Sequence, residues 1–361
     1  MRFAGVFRQS QHQSDGDLQQ SQTTSMSHGD GLITSLQEQI MRVLVLGGAG
    51  IVGASLVETA PAGSFVFLGY RRHVPMHRDN GLTLLVDCSD PASIEVALDQ
   101  VSPDVVVNAV GLNSIEECQK NPQLAYRSNV GSTMAILYAL RGRCASLLHL
   151  STNAVYDGLN APYRESSPRY PVNVYGETKR LAEDIVCRQR GRQSIVRLSP
   201  LYGWSRSWSR LNPLSWIVDS LRAGNPLKLC DDIFDTPLSV EYAARTLWYL
   251  IAQDRRSQLN LGGGERVSRY QFGVAVAEAF GLDPNLIGPV ASSFFKHLTA
   301  RPIDSSFCTD RQVRVCPFPI PSLRDALAVC HAREPSPDDE LVPGSMSKLS
   351  SRLIFDRTTS K

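Results

Sequence analysis

Residues 43–53 restrict the fold more than any other part of this chain. An apolar run, Val43-Leu-Val-Leu, leads into Gly47-Gly-Ala-Gly50-Ile51-Val52-Gly53. A short apolar strand that breaks on a glycine turn and reopens as a helix is the start of a dinucleotide-binding βαβ unit. Each glycine has a physical task. Gly47 permits the tight turn, Gly50 lets the backbone approach a pyrophosphate, and Gly53 lets helix and strand pack closely. The N–H groups at the helix start, around Ile51 and Val52, then face the phosphates.

The rest of the chain supplies what such a start requires. Strands are expected at 42–46, 64–70, 82–86, 105–109, 147–150 and 194–198, and helices at 53–59, 91–100, 121–141 and 173–190. Continuous apolar strands alternating with helices describe an α/β Rossmann fold, a doubly wound parallel sheet covered on both faces. From about Tyr202 the rhythm changes to longer, Pro-punctuated loops and isolated helices. The expected division is therefore a cofactor-binding Rossmann domain at 41–200 and a smaller substrate-binding subdomain at 201–333, interleaved with it. Residues 1–40, rich in Gln, Ser and His, read either as a disordered leader or as a mis-assigned start, with Met26 or Met41 as the true one. Residues 334–361 read as a disordered tail. No internal repeat is visible.

Composition excludes several classes. A formal net charge of +2 on 361 residues is too small to imply a nucleic-acid partner. No apolar run approaches the roughly 18 residues that span a bilayer, and no signal segment opens the chain. The eight Cys show no C-x-x-C and no Cys/His cluster, so no metal site is expected and a reducing compartment is. These features fit a cytoplasmic enzyme.

The second strand speaks to the cofactor. An NAD binder places an acidic residue at its end, for the ribose 2′-OH. Here the chain reads Leu68-Gly-Tyr-Arg71-Arg72. Two guanidiniums suit a 2′-phosphate, so NADP(H) is expected; a solvated basic turn is the alternative. Asp87, ending the third strand, can accept from the adenine amine or cap a helix, although Asp90 fits the cap better. Ala109, Val110 and Gly111, after the fourth strand, are small enough to lie along a cofactor.

The catalytic signal is Tyr175-Gly-Glu-Thr-Lys179. On a helix, positions i and i+4 share a face. A free phenol has a pKa of about 10 and is a poor acid–base catalyst near neutrality; a neighbouring ammonium is expected to lower it. Only six Lys occur in the chain, so the spacing is informative. Upstream, an apolar strand ends in Ser151-Thr152-Asn153, where a hydroxyl can stabilise a developing oxyanion. Thr152 is the candidate. His149, inside that strand, reads as a core histidine.

These stretches resemble a known family. Ser151-Thr-Asn-Ala-Val-Tyr-Asp-Gly158, Pro162-Tyr-Arg-Glu165 and Pro171-Val-Asn-Val-Tyr175-Gly-Glu-Thr-Lys179 are similar to the dTDP-4-dehydrorhamnose reductase group of extended short-chain dehydrogenases. The G-x-x-G-x-x-G spacing at 47–53 resembles the same superfamily. The resemblance covers roughly 41–328 and is tightest over 150–184. It implies a catalytic triad of Thr152, Tyr175 and Lys179, and NADPH-dependent reduction of the 4-keto group of a nucleotide-linked deoxysugar. It also implies a C-terminal part that binds the sugar nucleotide. Arg197-Leu-Ser-Pro200-Leu-Tyr202-Gly203 is similar to the strand and loop beside the nicotinamide, which places Pro200 near the cofactor and Tyr202 near the substrate. Asp235-Thr-Pro237 and Arg301-Pro302 resemble positions near the substrate.

The sequence also departs from the family. Leu112-Asn113-Ser-Ile-Glu116 stands where an aromatic or His, a Thr and a Val-Asp pair are usual, and Asn153 stands for an Asp. Both segments face the sugar, so Asn113 and Asn153 are candidate substrate contacts and the sugar is left open. Ser55 stands where some members place a Glu for a Mg²⁺-linked dimer, so that metal is not carried over; a homodimer stays open. Two rivals remain. One is a nucleotide-sugar epimerase or dehydratase with retained NAD, against which Arg71-Arg72 argues. The other is a non-catalytic NADP-binding regulatory subunit resembling the beta subunit of methionine adenosyltransferase.

Overall fold

The computed structural model describes residues 41–72, 81–189, 191–204, 212–253, 256–295 and 298–335. The expected leader, and the expected tail beyond Glu334 and Pro335, lie outside these residues.

The chain begins with the expected alternation. Strands β1 (Arg42–Leu46), β2 (Phe65–Tyr70), β3 (Gly81–Leu85), β4 (Val105–Asn108), β5 (Ser146–Thr152) and β6 (Gln193–Leu198) are separated by helices. These are α1 (Ile51–Glu58), α2 (Pro91–Val101), α3 (Ile115–Lys120), α4 (Pro122–Tyr126), α5 (Ser132–Ala139) and α6 (Val174–Arg188). Asp90 caps α2 by accepting from Ala92 N, with Pro91 in the first helical position where its missing N–H costs nothing.

The second part adds β7 (Leu201–Tyr202), α7 (Pro213–Arg222), β8 (Leu227–Cys230), β9 (Phe234–Asp235), β10 (Leu238–Ser239) and α8 (Val240–Gln253). It continues with β11 (Gln258–Leu261), β12 (Val267–Ser268), α9 (Arg269–Ala279), β13 (Ile287–Val290), α10 (Asp310–Val315) and α11 (Leu323–Ala332).

The main sheet has seven strands in the order β11-β6-β5-β4-β1-β2-β3. Every pairing in it is parallel, so all carboxyl ends share one edge. The order reverses between β1 and β4, and such a switch point opens a crevice at that edge. This is a Rossmann fold.

Strand alternation decides the two cores. Val43 and Val45 pack with α1 and α8 on one face, while Leu44 and Leu46 pack with α2 and α5 on the other. All four are 0% exposed. Burial of each is worth roughly 1.5–3 kcal/mol, so this strand tolerates no polar residue on either face.

The second part does two things. Helix α8 and strand β11 return to the main sheet: β11 pairs with β6, and Trp248 Nε1 donates to the Leu56 carbonyl of α1 at 3.1 Å. Helices α7, α9 and α11 instead enclose a separate core around Tyr202, Ile217, Phe272 and Leu327. Short pairs, β7 with β10 and β9 with β12, tie this core to the carboxyl edge of the sheet. Among the described residues, no helix is long and apolar enough to cross a membrane.

One expectation fails. The helix expected over 121–141 is broken by a π turn, Arg127–Gly131, between α4 and α5, and α3 was not foreseen. The wider turn carries Asn129 inward. Its side chain accepts from Leu112 N at 2.7 Å and donates to Thr178 Oγ1 on α6 at 2.8 Å. Such single π turns interrupt helices where a side chain serves something other than the helix.

Candidate active site

The glycine turn after β1 is explained by two kinds of constraint. Gly47 has φ +81°, and a Cβ there would lie 2.7 Å from the Ala109 carbonyl oxygen. A Cβ on Gly53 would lie 2.1 Å from the Gly48 oxygen. Both are glycine because the protein itself leaves no room. Gly50 differs: its Cβ would meet only the Gly47 oxygen, at 3.7 Å, an ordinary contact. No protein atom demands glycine there. The first turn of α1 follows Gly50 and has no side-chain cap, so the N–H groups of Ile51, Val52 and Gly53 stay available. An open glycine beside uncapped N–H groups fits a pyrophosphate.

Strand β2 is tied to this turn, because Gly47 N and Gly48 N both donate to the Gly69 carbonyl. Arg71 and Arg72 follow it, exposed to solvent. Arg71 Nη1 lies 3.8 Å from Asp87 Oδ1. Asp87 accepts from Ser89 N and Oγ, and these bonds hold its carboxyl below the usual range, with Arg71 assisting. Asp87 is not a helix cap; Asp90 is. After β4, Ala109 packs against Gly47, and Val110 N donates to Asn108 Oδ1 at 3.1 Å.

Helix α6 carries Tyr175 and Lys179. Asn173 caps it, accepting from Gly176 N at 2.9 Å. A Cβ on Gly176 would lie 2.1 Å from the Ala154 oxygen, so only glycine lets α6 press on the turn that follows β5. That contact brings the Tyr175 phenol close to Thr152, whose hydroxyl acts to lower the phenol's pKa. One turn later Lys179, buried, donates from Nζ to the Leu150 carbonyl of β5 at 2.7 Å.

The expected lowering of the Tyr175 pKa does not occur. Burial pushes the phenol up to about 12, and Thr152 lowers it only in part. The Lys179 ammonium is taken by a strand carbonyl, and burial brings it down to about 8 against the opposing charge of Glu183. Tyr175 is therefore a protonated phenol near neutrality.

His149 is wholly buried, with Nδ1 3.0 Å from Asn108 Nδ2. Burial, then the charge of Lys179, hold it well below its ordinary value, so it is neutral. It is a core residue, although its Nε2 has no partner among the described residues. Ser55 is likewise buried and donates to the Val240 carbonyl at 3.3 Å.

A cavity of about 180 Å³ opens between the loop after β6 and the second core. Pro200, Tyr202, Ile217 and Phe272 form apolar walls, and Asn113, Asp235, Arg269 and Arg301 supply polarity. Arg301 Nη2 pairs with Glu116 Oε1 at 2.7 Å. Burial pushes the Glu116 carboxyl up, but hydrogen bonds from Thr299 and Arg301 outweigh it. Asn153 links Thr152 to the cavity-lining Asp235. It accepts from Thr152 Oγ1 at 3.2 Å, and its Nδ2 donates to Asp235 Oδ1 at 2.9 Å and to Ser305 Oγ at 2.7 Å.

Three supporting residues were missed from the sequence. Gly176 had a signal, since glycine inside a helix costs about 1 kcal/mol against Ala and requires a reason. Glu183 and Arg197 form a buried pair at 2.7 Å behind Lys179, with Ser151 Oγ donating to the same carboxylate at 2.5 Å. An arginine inside an apolar strand was the available clue.

Comparison with known proteins adds the relationships. The family model described as "RmlD substrate binding domain" matches residues 41–334. The methionine adenosyltransferase 2 subunit beta of Xenopus laevis is 26% identical over 257 residues, covering 69% of this chain and 75% of its own length. The Haloferax volcanii protein named "Probable low-salt glycan biosynthesis reductase Agl14" is 26% identical over 300 residues, covering 81% and 98%. Among solved structures, dTDP-4-dehydrorhamnose reductase from Bacillus anthracis, in complex with NADP, superposes with a TM-score of 0.72 at 19% identity, covering 81% of this chain and 99% of that one.

Proposed function

The chain belongs to the RmlD substrate binding domain family, and from that premise we propose that it is an NADPH-dependent reductase of a nucleotide-linked 4-keto-deoxysugar, similar to dTDP-4-dehydrorhamnose reductase. The observation that carries this reading is that Tyr175 lies close to Thr152, with Lys179 one turn away and fastened to the same strand, at the sheet edge that also bears the glycine turn.

The residues present fit NADP(H). Gly47, Gly50 and Gly53, with the N–H groups of Ile51 and Val52, cradle the pyrophosphate. Arg71 and Arg72 hold the 2′-phosphate, and Asp87 keeps Arg71 beside the adenine side of the site. Ala109, Val110, Gly111 and Pro200 flank the nicotinamide half. A bound dihydronicotinamide supplies the hydride for reduction. The chain's own groups manage the proton. Thr152 turns its hydroxyl from Asn153 to the substrate carbonyl and orients it. Tyr175, a protonated phenol, gives its proton to that oxygen. Lys179, whose Nζ donates to the Leu150 carbonyl, keeps further N–H groups for a ribose hydroxyl. Asn113 and Tyr202, on the cavity wall, and Asn153, bonded to the wall residue Asp235, border the sugar, while Arg269 supplies positive charge for a diphosphate.

Eight free thiols support a reducing compartment, and we assign the enzyme to the cytoplasm. The paired arginines after β2 disfavour an NAD-retaining epimerase or dehydratase. A regulatory role is the second reading, favoured by the likeness to the methionine adenosyltransferase beta subunit and by Asn153 where a reductase has Asp.

The test is NADPH consumption by the full chain with a panel of nucleotide-linked 4-keto sugars, with Tyr175→Phe as control. Turnover by the wild type that the variant lacks is the expected result. No turnover on any of them, together with co-purification of a methionine adenosyltransferase catalytic subunit, would overturn it.

A further inference from the structure

Asp235 is 8% exposed, ends β9 and borders the cavity. Its two oxygens are used unequally. Oδ1 accepts from Asn153 Nδ2 at 2.9 Å and from Ser305 Oγ at 2.5 Å. Among the described residues, Oδ2 accepts no hydrogen bond. Burial pushes the Asp235 carboxyl up, against the charge of Arg269 and the hydrogen bonds from Ser305 and Asn153. A nearly buried carboxylate with one oxygen still open requires a donor.

The inner oxygen fixes the geometry. A carboxylate only accepts, so the NH₂ group of Asn153 must face Asp235 and its carbonyl must face Thr152. Flipping that amide would set oxygen against oxygen. The Thr152 hydroxyl and the Asp235 carboxylate are therefore joined through one amide group by two hydrogen bonds.

We propose that Asp235 is a specificity-determining residue whose Oδ2 accepts a hydrogen bond from a hydroxyl on the same sugar ring as the reacting carbonyl. The assignment rests on the reading of this cavity as a nucleotide-sugar site. A site built to bond a hydroxyl rejects the analogue lacking it, because its buried acceptor is left unpaired. The substrate class is thus narrowed to sugars that keep a free hydroxyl at one ring position beyond the keto group.

The test is titration calorimetry on the full chain with dTDP and dTDP-glucose as probes. Asp235→Asn is the informative variant. Its amide oxygen can remain on Asn153 and Ser305, which turns its NH₂ group to the cavity and replaces an acceptor by a donor. The wild type is expected to bind dTDP-glucose more tightly than dTDP. The variant is expected to lose about ten- to a hundredfold on dTDP-glucose and nothing on dTDP. A second arm uses the wild type alone with singly deoxygenated dTDP-glucose analogues, one of which must show the same loss. A variant that keeps the full preference for the sugar, or loses both probes equally, overturns the assignment while leaving the nucleotide-sugar reading in place. So does a wild type indifferent to the sugar or to every deoxygenation. Failure of the wild type to bind either probe removes the nucleotide-sugar reading, and the assignment with it.

Discussion

Lys179 donates to the Leu150 carbonyl at 2.7 Å, so the ammonium beneath the candidate acid is fastened to the strand that ends in Thr152. Burial brings its pKa down to about 8, from 10.5 in the unfolded chain. Between those values the unfolded chain binds more protons than the folded one, so this group makes stability rise with pH from about 8 to 10.5. Replacement by Met should remove that rise, which is on the order of 3 kcal/mol. The measurement is urea unfolding of wild type and Lys179→Met across the window; parallel curves would contradict the burial argument.

Tyr175→Phe deletes the proton donor and keeps the ring. NADPH affinity, read from cofactor fluorescence, should stay within a few-fold of wild type, while turnover on an accepted keto sugar falls about 10²–10⁴-fold. An undiminished rate would take Tyr175 out of the mechanism.

Arg71 and Arg72 stand where an NAD binder has a carboxylate. Replacing each by Ser should weaken NADPH by about ten- to a hundredfold per guanidinium and leave NADH within about threefold. Equal losses for the two cofactors would return these residues to an ordinary basic turn.

Two glycines of one turn should respond differently to the same methyl group. Gly53→Ala forces a Cβ to 2.1 Å from a backbone oxygen and should cost about 3 kcal/mol or more of stability. Gly50→Ala meets nothing nearer than 3.7 Å. It should leave the melting temperature unchanged and lower NADPH affinity at least about tenfold, since the added methyl blocks phosphate approach. A Gly50 variant that binds NADPH normally would exclude close contact at that position.

The sheet and the glycine turn were legible because both are local. Apolar alternation over 42–46 and the glycine spacing over 47–53 lie within a few residues of each other. The Tyr175–Lys179 pair was legible for the same reason. The phenol's environment was not, since it depends on which backbone carbonyl claims Lys179. Nor was the π turn, whose cause is a contact between Asn129 and Thr178. Asp235, Asn153 and Ser305 were beyond sequence reasoning as a group. They meet across separations of 70 to 152 positions, and no spacing rule joins them.

The return of α8 and β11 to the main sheet has a consequence for how the molecule is made. A nascent chain that has emerged only as far as Leu198 has an unsatisfied row of amides along β6 and a greasy stripe on α1 awaiting Trp248. The nucleotide cradle, although encoded near the front, thus matures only after some two hundred further residues of synthesis from Gly53. A clip in the loops between would leave two fragments still gripping each other rather than two independent modules.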